Sequence, residues 1–241
     1  MDQAVTQSAV TQSAVTQSAV TLAPFDFADA RKKMVDGQIR PNKVSDPAIL
    51  AALRSLPREI FVPVALAALA YADEPVPLGG GRVMPEPRAI AKLIQLCAPV
   101  VGARALVLAA GTGYGAAVLA ACGADVTALE EDEALLAIAR PALAAQAPAV
   151  AIATGRLAAG WASGAPYDII LIEGAVDTVP SAIAAQLRSG SGRLVTVRAG
   201  RGLASQAIIA EMTPAGLRTR DAFDCAMPAL PSLRAEPGFV F

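Results

Sequence analysis

Residues 106–116, Leu-Val-Leu-Ala-Ala-Gly-Thr-Gly-Tyr-Gly-Ala, decide the fold of this chain. The apolar run at 104–109 predicts a short buried strand, the glycines predict a tight turn, and 116–122 predicts a helix. Glycine lets the backbone approach a bulky ligand at positions where a Cβ would clash. The start of the following helix offers free N–H groups and the positive end of its dipole. The stretch therefore predicts a strand, a ligand-binding turn and a helix in succession.

Downstream of this turn the sequence alternates between short apolar strands and helices. Repeated βα units predict a parallel sheet with helices on both faces, in which ligands bind beyond the carboxyl ends of the strands. The expected fold class is α/β, a doubly wound and mostly parallel Rossmann-like sheet. Strands are predicted at 125–129, 149–153, 167–172, 193–197, 205–212 and 217–223, and helices at 133–145 and 180–187.

Upstream of the sheet the sequence predicts a helical region. Helices are expected at 27–39, from Pro47 onward behind the capping residues Ser45 and Asp46, and at 64–71. Residues 73–88 are rich in proline and glycine, which predicts a long loop, and loops of this length are usually functional. A further helix is predicted at 89–97.

The first residues form a tandem repeat. The unit AVTQS occurs at 4–8, 9–13 and 14–18, and AVT closes the series at 19–21. This period matches neither a strand nor a helix, so the segment presents no single apolar face. It is therefore predicted to be a disordered tail.

Composition excludes several classes of function. The 241 residues carry a net charge of -1 and only 4% aromatics, which argues against nucleic-acid binding. The chain has no histidine, which excludes histidine-dependent catalysis and histidine-bound zinc. The chain has three cysteines, which lie far apart in the sequence and form no CxxC pair. We therefore expect them to be core residues, and we expect the protein to lie in a reducing, cytoplasmic compartment. They are Cys97, Cys122 and Cys225.

The mean hydropathy of +0.49 raises the question of a membrane span. The uncharged stretch at 105–124 is long enough, but the glycine turn lies at its centre. Irregular backbone facing lipid does not occur in the hydrocarbon core, so no membrane association is expected.

An acid follows the glycine turn at the sequence spacing that is typical of a ribose-binding carboxylate. Glu130 ends the second predicted strand, nineteen residues after Gly111. A carboxylate at this place can accept hydrogen bonds from both hydroxyls of a ribose. The run Glu130–Glu133 also suggests a divalent cation, but acids are favoured in the first turn of a helix, and no metal is expected.

Two nucleoside cofactors fit the turn. Gly111, Gly113 and Ala116 satisfy the NAD pattern GxGxxA, whereas Gly111, Gly113 and Gly115 satisfy the GxGxG of S-adenosylmethionine enzymes. All lysines precede the sheet, so no YxxxK pair exists, and no histidine can relay a proton beside a hydride. Methyl transfer to a carboxylate needs neither group, because an ionised nucleophile displaces a neutral thioether and positioning suffices. The residues therefore favour S-adenosylmethionine over NAD.

Several segments of the chain match the sequence pattern of one known family. They are 34–39, 46–53, 56–63 with its Pro-Arg-Glu-Ile-Phe-Val-Pro, 107–115, Trp161 with 166–170, 180–187 and 191–195. Through these segments the chain resembles the protein-L-isoaspartate O-methyltransferases. The resemblance implies a class I methyltransferase fold, S-adenosylmethionine as cofactor, and repair methylation of isoaspartyl carboxylates in aged proteins as the activity. It places Gly111, Thr112, Gly113, Gly115, Glu130, Gly155 and Arg156 at the cofactor.

The chain departs from the family in the loop before the sheet. The family has GHGQTISQP there, whereas residues 79–87 read GGGRVMPEP. The positions of the family's threonine and serine hydroxyls are Val83 and Pro85, so the resemblance names no catalytic side chain. The loop is still expected to cover the substrate carboxylate, through Gly80, Gly81, Arg82, Val83, Met84 and Pro85.

Two further departures concern the cofactor. The acid that usually precedes the glycine turn is Ala109 here, and the family's Gly-Asp-Gly is Gly155-Arg156-Leu157. An arginine cannot accept a hydrogen bond from the adenine amino group. Arg82, Arg88 and Arg156 are either cationic donors to a carboxylate or phosphate, or solvated surface charges.

We therefore expect three parts, a disordered repeat tail at 1–24, N-terminal helices with an active-site loop at 25–100, and an adenosylmethionine-binding α/β domain at 101–241. The leading hypothesis is an isoaspartyl methyltransferase whose partners are isoaspartyl-containing proteins or peptides. The alternatives are a methyltransferase with another acceptor, a non-catalytic binding or regulatory protein on the same scaffold, and a dehydrogenase. The sequence leaves the oligomeric state open.

Overall fold

A computed structural model describes residues 25–200 and 205–234 of the chain. Its centre is a seven-stranded sheet. The strands are β3 (Arg104–Leu108), β4 (Asp125–Glu130), β5 (Ala151–Thr154), β6 (Ile169–Val176), β7 (Arg193–Arg198), β8 (Gln206–Thr213) and β9 (Gly216–Asp224). Their order in the sheet is β5-β4-β3-β6-β7-β8-β9, in which the first five are parallel and the last two are antiparallel. This confirms the predicted mostly parallel α/β fold.

The helices start where the sequence provides caps. Asp46 accepts hydrogen bonds from the N–H groups of Ala48 and Ile49 at 2.8 and 3.1 Å, which begins α2. Asp132 caps α5 in the same way. The helices are α1 (Phe27–Met34), α2 (Pro47–Ser55), α3 (Pro87–Cys97), α4 (Tyr114–Ala121), α5 (Glu133–Gln146) and α6 (Ser181–Ala184). A π-helical turn at Val35–Ile39 and 3-10 turns at Arg40–Asn42, Arg58–Phe61 and Val64–Leu69 complete the N-terminal region.

Helices cover both faces of the sheet. Alternate residues of β3 point to opposite sides, so Val107 joins the core beneath the N-terminal helices. Its neighbours Leu106 and Leu108 join the core on the other face, together with Tyr167. The strand order turns outward on either side of β3 and β6, and the carboxyl ends of these two strands form the switch point where such folds bind ligands.

The predicted loop at 73–88 is wrong, because part of it forms an antiparallel hairpin. Strands β1 (Val76–Gly79) and β2 (Arg82–Met84) pair, with Val76 opposite Met84. Three consecutive glycines, Gly79–Gly81, have φ values of 96°, 57° and 76° and reverse the chain in a way other residues rarely can. Proline and glycine are typical of loops, although here they form the tip and edge of a short two-stranded ribbon.

Two helix predictions need correction. The helix expected at 180–187 is only one turn, Ser181–Ala184, because Leu187 already bridges to Tyr167 beside the sheet. The helix expected at 64–71 is a 3-10 segment, Val64–Leu69. The predicted disordered tail at 1–24 lies outside the described residues.

The structure tests the predictions for the cysteines and for a membrane-spanning helix. All three thiols are free and buried, which confirms them as core residues. Burial raises the pKa of Cys122 and of Cys225 to about 11, so these thiols stay protonated at neutral pH. Within the described ranges, no helix combines the length and apolar character needed to cross a membrane.

Candidate active site

The glycine turn between β3 and α4 is a compact, left-handed segment. Ala109, Gly111 and Gly113 have φ values of 58°, 58° and 93°. A Cβ on Gly113 would lie 2.8 Å from Leu143 of α5, so only glycine fits there without displacement. A Cβ on Gly115 would lie 2.0 Å from Oε1 of Glu173. Close packing against Leu143 and Glu173 therefore leaves no room for a side chain at Gly113 or Gly115.

Glu130 lies directly against this turn. It ends β4, is 1% exposed, and its Oε2 accepts a hydrogen bond from the N–H of Gly111 at 2.8 Å. Its Oε1 accepts from the N–H groups of Glu131 and Asp132 at 2.9 and 3.1 Å. Backbone amides thus hold both carboxylate oxygens at the switch point. The structure brings together the two features that the sequence places nineteen residues apart.

Arg82 reaches Glu130 from the hairpin. Its Nη1 lies 3.1 Å from Oε1 and its Nη2 lies 2.9 Å from Oε2, a two-pronged ion pair. Nη2 also donates to the backbone oxygen of Ala109 at 2.9 Å. The Arg82 side chain is only 13% exposed, so the alternative that it is a solvated surface charge is wrong. The carboxylate that it binds belongs to the protein itself.

The other two arginines lie at the surface. Arg88 pairs with Glu86 at 2.9 Å and lies 4.0 Å from Asp73, and its side chain is 41% exposed. Arg156 is exposed. Its neighbour Gly155 donates its N–H to the backbone oxygen of Glu130 at 3.2 Å. The backbone at 155 therefore lies beside the turn region, whereas the Arg156 side chain faces outward.

Sequence reasoning missed a buried polar group beneath the hairpin. Arg58 is completely buried, donates from Nε to the oxygen of Ala70 at 2.6 Å and from Nη2 to the oxygen of Pro85. Its guanidinium lies 4.6 Å from the ring centre of Tyr114. The burial lowers the pKa of Arg58 and raises the pKa of Tyr114. Arg58 anchors the end of the hairpin to the core. Its sequence signal is its place in the family-like segment 56–63, which does not predict that its side chain is buried.

Glu173 is the second residue that was missed. It lies in β6 among apolar residues and lines a small cavity of about 10 Å³ together with Arg82, Val83 and Met227. Its Oε1 is buried and has no hydrogen-bond partner among the described residues. Burial raises the pKa of Glu173 to about 8, although Arg82 and Arg58 act in the opposite direction. A carboxyl group of this kind is largely protonated at neutral pH.

A sequence model of one protein family matches this chain over residues 29–209, and its description is protein-L-isoaspartate(D-aspartate) O-methyltransferase. The chain belongs to this family. A protein-L-isoaspartate O-methyltransferase of Methylorubrum extorquens is 45% identical over 170 residues, which cover 70% of this chain and 74% of the relative. An enzyme of the same name from Rhodopseudomonas palustris is 41% identical over 170 residues, 70% of this chain and 69% of the relative.

Solved structures agree on the fold. A protein-L-isoaspartate O-methyltransferase superposes with a TM-score of 0.73 at 23% identity, over 85% of this chain and 67% of that one. A Plasmodium falciparum protein described as a putative enzyme of this kind, in complex with S-adenosyl-L-homocysteine, gives 0.70 at 15% identity, over 87% and 100%. Family membership confirms the reaction class that the residues favoured, S-adenosylmethionine-dependent methyl transfer, and nothing in the comparisons favours the alternatives.

Proposed function

We propose that this protein transfers the methyl group of S-adenosylmethionine to the free carboxylate of isoaspartyl residues in proteins and peptides. The observation that carries the proposal is the carboxylate of Glu130, which backbone amides hold against the glycine turn at the switch point of the sheet. The family to which the chain belongs supports the choice of acceptor.

The residues present fit the cofactor. Gly111, Gly113 and Gly115 add no side chains to the turn, and the N–H groups at the start of α4 suit the negative carboxylate of a methionyl group. Glu130 suits the ribose hydroxyls. We assign Gly111, Thr112, Gly113 and Gly115 to the methionine end, Glu130 to the ribose, and Gly155 to the adenine side with Arg156 at its rim.

The two changed positions weaken the site without removing it. Ala109 offers its backbone oxygen, and Arg156 cannot accept a hydrogen bond from adenine. Each lost hydrogen bond costs about 1–3 kcal/mol, so we expect micromolar affinity at best.

Methyl transfer to an ionised carboxylate needs little catalytic help from protein side chains. S-adenosylmethionine supplies an electrophilic methyl group with a neutral thioether as leaving group. The acceptor carboxylate is ionised at neutral pH, because an unperturbed aspartyl carboxyl has a pKa of about 4. The chain therefore has to position the carboxylate and exclude water, which needs no histidine. We assign the covering role to the hairpin, whose residues Gly80, Gly81, Arg82, Val83, Met84 and Pro85 lie beside Glu130.

We place the protein in the cytoplasm, where isoaspartyl sites of ageing proteins would be its substrates. The three free, buried cysteines support a reducing compartment.

The proposal is tested with two peptides of the same sequence, one with an isoaspartyl and one with a normal aspartyl residue. We expect label from methyl-labelled S-adenosylmethionine to enter the isoaspartyl peptide alone and to be released as methanol in mild base. The variant Glu130→Ala should lose the transfer, whereas Glu133→Ala, an exposed neighbour paired with Arg140, should keep it. Binding of the cofactor without transfer to either peptide would contradict the proposal and favour another acceptor or a non-catalytic role.

A further inference from the structure

The carboxylate of Glu130 has no free place for a ribose. Its Oε1 accepts three hydrogen bonds, from Arg82 and from the N–H groups of Glu131 and Asp132. Its Oε2 accepts two, from Arg82 and from the N–H of Gly111. A carboxylate has about four acceptor sites in all, so five donors saturate it. A nucleoside can bind Glu130 only after one of these donors has left.

Arg82 is the donor that can leave. The other three are backbone amides, fixed by β4, α5 and the glycine turn, whereas Arg82 is the only side chain among them. It sits at the start of β2, directly after Gly79–Gly81, and a Cβ on Gly79 or Gly81 would meet no atom of the described residues within 4 Å. The hairpin tip therefore has room to move.

A guanidinium that leaves Glu130 within the protein needs a new carboxylate, because an unpaired buried charge is very costly. Glu173 borders the same cavity as Arg82, and its Oε1 lacks a partner among the described residues. The other titratable groups whose charges interact with Glu173 are Arg58, Cys97 of α3 and Glu130 itself. Arg58 donates to the oxygens of Ala70 and Pro85 from Nε and Nη2, and its buried Nη1 has no partner among the described residues. No hydrogen bond joins Arg58 to Glu173 in that part of the chain, so the Oε1 of Glu173 is open to Arg82.

We propose that Arg82 is a positioning residue that exchanges between two carboxylates: it pairs with Glu130 in the free protein and with Glu173 when a nucleoside occupies Glu130. The inference rests on the proposed function in one respect, that the nucleoside is the methyl-donor cofactor. In the free state Arg82 closes the ribose position. In the bound state the pair of Arg82 and Glu173 draws the hairpin toward the end of β6 beside the turn.

The exchange moves a proton. In the free protein the Glu173 carboxyl is largely protonated, because burial raises its pKa to about 8. Pairing with Arg82 stabilises the carboxylate and lowers this pKa, so the proton passes to the solvent. Binding at pH 7 should then release about one proton per nucleoside. For the same reason the affinity should rise with pH below pH 8, by up to about tenfold per pH unit.

The test is calorimetric titration of the full chain with S-adenosylhomocysteine at pH 7, in phosphate and in Tris. These buffers have different ionisation enthalpies, so the difference in heat gives the number of protons released. We expect the wild type to release about one proton. Arg82→Ala should bind about tenfold more tightly or better and release none, because Glu130 is already open. Glu173→Gln should release none and bind more weakly than the wild type. Arg88→Ala, an exposed arginine of the same segment, should match the wild type.

The inference is overturned when Arg82→Ala binds no more tightly than the wild type, or when Glu173→Gln still releases the proton. Thermal unfolding of each variant distinguishes a variant that no longer folds from one that folds but no longer exchanges Arg82 between the two carboxylates.

Failure of the proposed function gives a different set of results. In that case the wild type and Arg82→Ala both bind S-adenosylhomocysteine with the expected difference, but neither methylates the isoaspartyl peptide. When neither protein binds, both proposals fail.

Discussion

The glycine turn after β3 and the hairpin β1–β2 lie on two sides of Glu130 and hold it in different ways. The turn side contributes backbone amides, at Gly111 and at the start of α5, which are fixed by packing. The hairpin contributes one long side chain, Arg82, from a strand of three residues behind a glycine tip. Amides that belong to a packed turn stay in place when a ligand binds, whereas a side chain on a short ribbon can move.

The turn and the hairpin also differ in how closely they follow the sequence pattern of the family. The glycines of the turn and Glu130 follow the family pattern, although Ala109 in the turn does not. The hairpin has Arg82, Val83 and Pro85 in a segment where the family carries hydroxyls. The glycines and the acid of the rigid side are thus retained, whereas the movable side has lost every hydroxyl of the family pattern.

Removing the shared carboxylate should have the largest effect on both regions. In Glu130→Ala three amides lose their acceptor and Arg82 loses its partner, so we expect the free energy of unfolding to fall by about 3–5 kcal/mol. Urea denaturation measures it. Glu133→Ala, which removes an exposed ion pair of 3.0 Å with Arg140, should change it by less than about 1 kcal/mol. Equal losses in the two variants would show that Glu130 does not link the turn and the hairpin.

A matched pair of glycine substitutions compares the rigidity of the two regions. Gly113 in the turn and Gly79 in the hairpin have nearly the same φ, 93° and 96°, but a Cβ on Gly113 meets Leu143 at 2.8 Å and one on Gly79 meets nothing within 4 Å. Gly79→Ala should cost only the left-handed conformation, about 1–2 kcal/mol. Gly113→Ala should cost a further 1–3 kcal/mol, roughly, for the overpacking. Equal denaturation midpoints for Gly79→Ala and Gly113→Ala would contradict the expectation that the turn is packed more tightly than the hairpin tip.

Restoring hydroxyls in the hairpin should have the smallest effect. In Val83→Thr with Pro85→Ser, each hydroxyl adds a hydrogen bond of about 0.5–1.5 kcal/mol near the acceptor, so kcat/KM for the isoaspartyl peptide should rise by up to about tenfold per hydroxyl. The comparison with the wild type uses saturating S-adenosylmethionine. An unchanged kcat/KM with the cofactor bound would mean that the altered residues do not limit the reaction.

The sequence predicted the retained side of the site and missed most of the movable side. The strand, the turn and Glu130 follow regular patterns, since β3 is a short apolar run and an acid ends the next strand. The hairpin was missed because its glycines and Pro77 also describe a loop. The pair of Arg82 and Glu130 joins residues 48 apart, and no local pattern encodes such a contact. In the sequence, Glu173 is only an isolated acid in an apolar strand. This pattern does not predict that its Oε1 has no hydrogen-bond partner among the described residues.

The central claim is that the turn and Glu130 still form an adenosylmethionine site although Ala109 and Arg156 replace two acids of the family. The most direct measurement is a calorimetric titration of the purified full chain with S-adenosylmethionine, with NAD as the control. The account predicts saturable binding of S-adenosylmethionine in the micromolar range and no binding of NAD. No heat with S-adenosylmethionine at millimolar concentration, or equal binding of NAD, would contradict it.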